Sequence, residues 1–423
     1  MYRIVAALVA ATSCVAIAQA QEKEPEVRQV SGSLLTLEDA VALAGGSAPA
    51  ADVAAAEVEA ASAARRVAGL RPNPALSVEV ENFVGTGPYN GVNGADVTAS
   101  VAIPIELGGK RQARIAVANA ATHRAQIAQA IAQADIRLQV TELYVQASAA
   151  DVRVAIAEDQ FRIAGDTARA ATIRVQAGRA SPLEQERAEV ARLTAEAEVD
   201  KARRLAAAAR ANLARRIGRQ ISGSLDIAIL GGPGGSMMGP PRPISAAGTL
   251  ALAAADADLA TADAGVRLAR SQRAPDLTVG PGVRRLEATN DVAAVFSVSL
   301  PLPLFNNGRA AVDQANAERR RADAQRRVTA LDVEQQIGDA EVEAANAAAA
   351  ARVASGPALS SAMEAARIAR IGYREGKFGQ LELLDAERTL TDMRSASIEA
   401  LVSYQLAKAR LERLTAPAPL EGN

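Results

Sequence analysis

The stretch VQAGRASPLEQERAEV, from Val175 to Val190, decides the fold because it returns as YREGKFGQLELLDAERT, from Tyr373 to Thr389. Gly178, Leu183, Glu184, Ala188 and Glu189 recur as Gly376, Leu381, Glu382, Ala386 and Glu387, all at one offset (376 − 178 = 198), and Arg179 matches Lys377 in charge. Each copy halts a long alanine-rich helical pattern at glycine and restarts it within a few residues. Two long helices joined by so short a turn must double back antiparallel. The two copies are therefore the tips of two helical hairpins in a duplicated chain.

Working outward, each hairpin is preceded by a pair of strand patterns. In ALSVEVENF, Leu76, Val78 and Val80 alternate with Ser77, Glu79 and Glu81; farther on, Val97, Ala99, Val101 and Ile103 alternate with Thr98, Ser100 and Ala102 until Pro104. A period of two with one apolar face reads as a strand hairpin. In the second half Leu277, Val279 and Val283 alternate with Thr278, Gly280 and Arg284, and Phe296, Val298 and Leu300 with Ser297 and Ser299. SVSLPLPLFNNGR stands where SVAIPIELGGKR stood, with Pro301 against Pro104 and Arg309 against Lys110.

Helices fill the rest. Thr36 caps a helix expected to run to about Leu70, where RPNP (71–74) stops it. From about Gly109 a helical pattern continues to Ala177, with Ile131, Leu138, Val145 and Val152 seven apart in coiled-coil spacing. Ser181 as cap, Pro182 at the first helical position and Glu184 open the return helix, expected to reach Ile217. The second half repeats the plan with helices over about 246–273 and 308–373, kinked at Gly356-Pro357, and a last helix on which Leu383, Leu390, Tyr404 and Leu411 keep the seven-residue beat while Ser397 fills its gap.

The domain plan is a signal peptide (1–20), a first repeat (21–217; strands about 75–104, hairpin about 109–217), a linker or equatorial segment (218–245), a second repeat (246–416; strands about 276–301, hairpin about 308–416) and a tail (417–423). Arg3, the apolar run Ile4 to Ala18 and the site Ala18-Gln19-Ala20 form the export signal. Cys14 offers a second processing site: cleavage after Ala20 discards it, whereas cleavage before it makes Cys14 a lipid-bearing N-terminus. The first is preferred.

Composition narrows the function. Of 423 residues only 2% are aromatic, none is Trp, and there is one Cys and one His. Such thin apolar faces suit long helices packed side by side rather than a thick enzyme core. Lys and Arg number 47 against 48 Asp and Glu, which removes any general electrostatic case for a nucleic-acid partner. His123 has no Cys or His at ligand spacing, so neither a tight metal site nor a cofactor is expected. No Ser/His/Asp set or phosphate loop is present, and the chain does not read as an enzyme.

Four amphipathic strands cannot close a membrane barrel, which begins at about eight. An open sheet edge cannot persist in lipid either. Other copies of the chain must complete the wall; two supply eight strands and three supply twelve, and the strands alone do not choose. The expected fold is mainly α with a membrane β-barrel: long hairpins forming a periplasmic tunnel, and four strands per protomer.

RPNPALSVEVENF (71–83), PIELGGKRQAR (104–114), PLPLFNNGRA (301–310) and YREGKFGQLELLDAERTL (373–390) carry a resemblance across the mature chain. It resembles the TolC-type outer-membrane factors, and within them the outer-membrane components of cobalt–zinc–cadmium (heavy-metal) efflux systems. The resemblance implies a homotrimer with a twelve-stranded barrel in outer-membrane lipid. It also implies a periplasmic adaptor (membrane fusion) protein and a proton-driven inner-membrane RND pump as partners. The protein would then be a passive exit duct for divalent metal cations, opened at its tip on docking. Rival readings keep the duct but change the cargo to drugs or a type I secreted polypeptide, or discard the barrel for a soluble periplasmic coiled-coil scaffold.

In the family, carboxylates just past the second tip line the narrowest aperture; Glu382 and Asp385 match them, three apart on neighbouring helix surface. Repeated by symmetry they would form a cation-attracting ring; otherwise they are a solvated helix face. Glu184 keeps the acidic position in the first copy, while Arg187 replaces its partner and could bridge to Asp385 or Glu382. The tips themselves, Gly178, Ser181, Pro182 and Leu183 with Gly376, Phe378, Gly379 and Leu381, make turns and offer apolar anchors to an adaptor.

Overall fold

The computed structural model describes residues 34–233 and 245–419. The export signal, Cys14 and most of the glycine-proline linker lie outside the described residues.

Thr36 caps α1 (Leu37–Ser47) with a full capping box: its hydroxyl accepts from the Asp39 amide at 3.2 Å and donates to the Asp39 carboxylate at 2.7 Å. The single helix expected to run from Thr36 to Leu70 is broken. Pro49 cannot donate to a carbonyl behind it, so Ala48 turns extended and α2 (Pro49–Ala68) starts anew with proline at its first position. Strands β1 (Ala75–Glu81) and β2 (Asp96–Ile105) follow. Next comes the hairpin of α3 (Lys110–Gln176) and α4 (Pro182–Ile217). The second half supplies α5 (Leu250–Ser271), β3 (Leu277–Leu286), β4 (Asp291–Ser299), α6 (Arg309–Val353), α7 (Leu359–Arg374) and α8 (Gln380–Leu414). Thr249, whose hydroxyl accepts from the Leu252 amide, caps α5 four residues later than the alanine pattern predicts.

The strands form one antiparallel sheet in the order β1-β2-β3-β4, with both outer edges unpaired. Its apolar face stays bare: Leu76 is 76% and Phe296 69% exposed. No helix among the described residues is long and apolar enough to cross a membrane. That apolar face has no partner among the described residues of the protomer, and the hairpins extend away from the sheet. At 1.5 Å per residue the 67-residue α3 spans about 100 Å.

The helices are joined midway. Ala40 and Ala44 of α1, Ile136, Val140, Tyr144 and Ala147 of α3, Leu213 and Ile217 of α4, and Leu225 form the largest core cluster. Small Ala side chains let helix axes approach closely, so a little apolar area per residue excludes water. Tyr144 locks the layer: its hydroxyl donates to the Leu35 carbonyl at 2.6 Å and accepts from the Asp226 amide at 2.8 Å. Desolvation by burial pushes its hydroxyl pKa up, keeping it protonated. The short apolar segment Leu225–Leu230, within the stretch read as linker or equatorial segment, is built into this girdle. Leu225 bridges Leu35, and Leu230 is buried against Val145 and Ala149.

Two faces of α3 are buried, where heptad spacing predicts one seam. Ile136, Val140 and Tyr144 face α1 and α4; Val145, Ala149 and Val152 meet Ile398, Val402 and Leu406 of α8. Ile131 and Leu138 of the predicted seam are only half-buried. On α8, Leu383, Leu390 and Ser397 are buried as the beat predicts. The expected defect at Gly356-Pro357 is a π-helical turn over Ala354–Ala358, with Gly356 at φ −105° and ψ −106°.

Removing the Tyr144 hydroxyl strands a buried carbonyl and amide. Tyr144→Phe is expected to cost about 1–3 kcal/mol, read as a lower denaturation midpoint in detergent with unchanged helix content.

Candidate functional site: the paired hairpin tips

Both tips close by the same backbone device. Gly178 (φ +69°) and Gly376 (φ +72°) take the left-handed conformation that ends a helix cheaply only at glycine. The Arg179 amide donates to the Arg174 carbonyl at 2.8 Å, and the Lys377 amide to the Gly372 carbonyl at 2.8 Å, closing the last turn identically. No atom lies within 4 Å of where a Cβ would stand on either glycine, so conformation and not space selects glycine here. The restarts differ. Ser181 accepts from the Leu183 amide at 3.2 Å with Pro182 at the first helical position, whereas Gly379 caps α8 without a side chain. The Glu382 carboxylate folds back over Gly379, reaching within 2.8 Å of an added Cβ.

The structure sets the tips side by side, and it does so through residues that motif reading passed over. Gln380, only 5% exposed, donates from Nε2 to the Glu184 carbonyl at 2.8 Å. The Arg174 guanidinium sits 4.8 Å from the centre of the Tyr373 ring, a cation–π contact between hairpins. Tyr373 packs with Ala369 and Leu383 inside the second hairpin. Phe378 lies over Gly372, where an added Cβ would stand 2.1 Å from its ring. It is therefore partly engaged by its own hairpin, and the fully offered apolar residues are Leu183 and Leu381.

Glu382 and Asp385 are exposed, and neither has an ion pair among the described residues of the protomer. Glu184 is half-buried, with one carboxylate oxygen enclosed and without a protein partner. Arg187 is exposed and does not bridge to Asp385 or Glu382 within one chain. Arg187 lies on an exposed face of α4 in the protomer, and Gln380 makes the contact between the tips.

Farther up, ion pairs tie the hairpin walls. Arg370 bonds both oxygens of the buried Glu387, and this bond raises the arginine pKa further. Asp159 on α3 accepts from Arg394 on α8 at 2.7 Å and from its own neighbour Arg162 at 2.6 Å. Burial works to raise the Asp159 pKa, but the bonds and charges of the two arginines outweigh it and hold the carboxyl below its ordinary value of 3.8. Arg413 on α8 likewise bonds Asp135 on α3 at 2.5 Å.

The whole is a hairpin duct subunit: a helical wall closed at one end by paired tips and carrying at the other an open sheet with an apolar face. Residues 41–219 and 245–416 match the family described as Outer membrane efflux protein, and the chain belongs to that family. It is 31% identical over 393 residues, 92% of this chain and 91% of the relative, to the cobalt-zinc-cadmium resistance protein CzcC of Cupriavidus metallidurans. It is 28% identical over 63% of its length, and 61% of the relative's, to the nickel-cobalt-cadmium resistance protein NccC of Alcaligenes xylosoxydans. Among solved structures, CusC superposes with a TM-score of 0.74 at 16% identity, covering 93% of this chain and 96% of that one. VceC of Vibrio cholerae gives 0.71 at 19% identity over 90% and 96%. The protein is a TolC-like channel subunit of the Gram-negative outer membrane, with its helices in the periplasm.

Because the Asp159 pKa is depressed, its contribution is complete above the ordinary carboxylate value and is lost as pH falls below it. The α3–α8 seam should thus hold from neutrality to about pH 4 and weaken below. Asp159→Asn is expected to lower the thermal midpoint at pH 7 and to narrow its difference between pH 7 and pH 3.

Proposed function

We propose that the protein is the exit duct of a tripartite, proton-driven system that expels divalent heavy-metal cations across the outer membrane. The observation that carries this reading is the 31% identity to a cobalt-zinc-cadmium resistance protein along nearly the full length of both chains. Three protomers would bring twelve strands and a closed helical tunnel. A periplasmic adaptor and an inner-membrane RND pump would supply selection and energy. The duct is passive and holds no cofactor; cargo passes through it and is not bound tightly.

The paired tips are the docking end. Leu183 and Leu381 project as apolar anchors beside glycine turns that admit a close neighbour. Glu382 and Asp385, exposed and unpaired just behind the second tip, would form an acidic ring under three-fold symmetry and favour cations over anions.

A deletion strain should become sensitive to cobalt, zinc or cadmium, with little change toward drugs; the opposite pattern assigns the duct to drug efflux. Wild type and Gly376→Asn, which tolerates the left-handed conformation, should restore resistance. Gly376→Lys should assemble in the membrane yet fail to do so. In planar bilayers Glu382→Gln combined with Asp385→Asn should lower the cation-to-anion permeability ratio several-fold. An unchanged ratio removes these carboxylates from the aperture.

A further inference from the structure

Where the chain passes between sheet and helices, its charge balance breaks down. Over the whole sequence Lys and Arg number 47 against 48 Asp and Glu. The four crossings, residues 65–74, 106–114, 267–276 and 301–314, hold ten Lys and Arg against only Glu106, Asp276 and Asp313. Two of those acids are already engaged: Asp276 pairs with Lys110 at 2.7 Å, and Glu106 accepts from Arg114 on both oxygens. The third, Asp313, stands exposed one turn farther along α6. Arg66, Arg71, Arg267 and Arg309 are exposed, and their side chains have no hydrogen-bond or ion-pair partner among the described residues. We infer that these four arginines form a collar that holds the phosphate headgroups of anionic phospholipids at the periplasmic rim of the sheet. This rests on the reading of the protein as an outer-membrane channel completed by identical copies.

The company these arginines keep points to a bilayer surface. Val67 and Leu70, 66% and 65% exposed, share a face of the last turn of α2 with Arg66. Leu302, Leu304 and Phe305 lead into Arg309, and Phe305 is fully exposed. Bare apolar side chains beside cations gain nothing from water. At the edge of a bilayer the two divide the work: the carbons enter the acyl layer and the guanidinium reaches the headgroups. The planar fork of arginine suits phosphate oxygens taken in pairs. Depth agrees as well. Arg66, Arg267 and Arg309 lie within about one helical turn, roughly 5 Å, of the helix ends that face the sheet. A headgroup layer is about as thick, roughly 5–7 Å on each side of the hydrocarbon.

Assembly does not supply the missing acids. In a ring of identical copies the two outer edges of neighbouring sheets meet, which brings the end of α2 beside the loop that precedes α6. The seam inside the chain shows how such a junction is neutralised, with Lys110 paired to Asp276. Arg309 stands at the position of Lys110, but the alignment of PALSV (74–78) with PDLTV (275–279) puts Ala75 at the position of Asp276. The outer junction thus repeats the cation and omits the carboxylate, and an anion from outside the protein completes it. Carried back along the same alignment, Arg267 stands at the position of Arg66, so each half of the chain presents this cation once. A collar turned into the lumen would set Val67 and Leu70 against water and place a ring of positive charge across a path for cations.

The test uses the full chain, purified in detergent and stripped of lipid. In native mass spectrometry it should retain short-chain phosphatidylglycerol over phosphatidylcholine of equal chain length by at least about fivefold, and phosphatidylglycerol should raise its thermal midpoint. High salt should erase most of that preference. Inorganic phosphate alone should stabilise far less, since it brings no acyl chain; equal stabilisation by phosphate overturns the headgroup assignment. Arg66→Gln with Arg267→Gln and Arg309→Gln should bring the lipid preference close to unity. Arg204→Gln with Arg215→Gln and Arg352→Gln, which removes three exposed charges from α4 and α6, should leave it intact. Equal retention of the two lipids by the unmodified protein overturns the collar without recourse to any variant. So does a collar variant that keeps the preference, or one whose cation-to-anion permeability ratio in planar bilayers rises several-fold, which places the arginines in the lumen. Conductance of the unmodified protein separates the two claims. If it conducts but shows no lipid preference, the collar alone is lost; if it is a water-soluble monomer without conductance, the channel reading goes too.

Discussion

Backbone hydrogen bonding in hydrocarbon is the constraint from which the rest of this molecule follows. In water an unpaired strand edge is solvated; in lipid each bare amide and carbonyl costs several kcal/mol, roughly. A protomer with four strands and two free edges is therefore unfinished in the membrane. Its apolar side chains point outward along the sheet because their solvent is lipid, and among the described residues the packed core clusters lie in the helical part. Duplication suits this economy: one strand-pair design and one hairpin design, used twice per chain, leave two edges of complementary kind.

The helical wall shows how a chain with almost no aromatic residues stays together. Ala40, Ala44, Ala147 and Ala149 are wholly inaccessible, so their helices touch nearly backbone to backbone. What alanine cannot supply is lateral specificity, since its methyl fits many neighbours equally. Ionic and polar contacts provide it at intervals along the wall, as in Asp151 with Arg210, Asp159 with Arg394 and Asp135 with Arg413. These pairs are half-exposed and individually modest. Their value is in fixing which helix stands beside which and at what height. Tyr144 is the exception, a fully buried side chain that ties three chain segments at the girdle.

Much of this was legible in sequence where a residue acts through its own backbone. Gly178 and Gly376 announce turns, Pro182 a helix start, Thr36 a capping box, and Gly356-Pro357 a broken helix, because each states a local conformational preference. Alternation in 76–80 and 97–103 revealed the strands for the same reason. One local signal was missed: Pro49, preceded by Gly45 and Gly46, breaks the first helix. The rest of what escaped depends on partners distant in sequence. The second buried face of α3 could not be read because alanine at every phase blurs the helical period. At the tips, Gln380 and Tyr373 matter through Glu184 and Arg174 on the other hairpin, about two hundred residues away. The contact expected between Arg187 and the second-tip carboxylates rests on charge alone and is not made within one chain.

The π turn over Ala354–Ala358 gives the two halves of a duplicated chain unequal mechanics. On the first side α3 passes the girdle as one uninterrupted rod, its hydrogen-bond ladder continuous for 67 residues. On the second side the ladder is interrupted beside the girdle, with Gly356 at its centre and Pro357 next to it. A beam with one soft segment flexes at that segment, so compliance is concentrated in the lower second hairpin while the first acts as its stator. A bending load applied at the tips would fall on that turn before it reached the sheet.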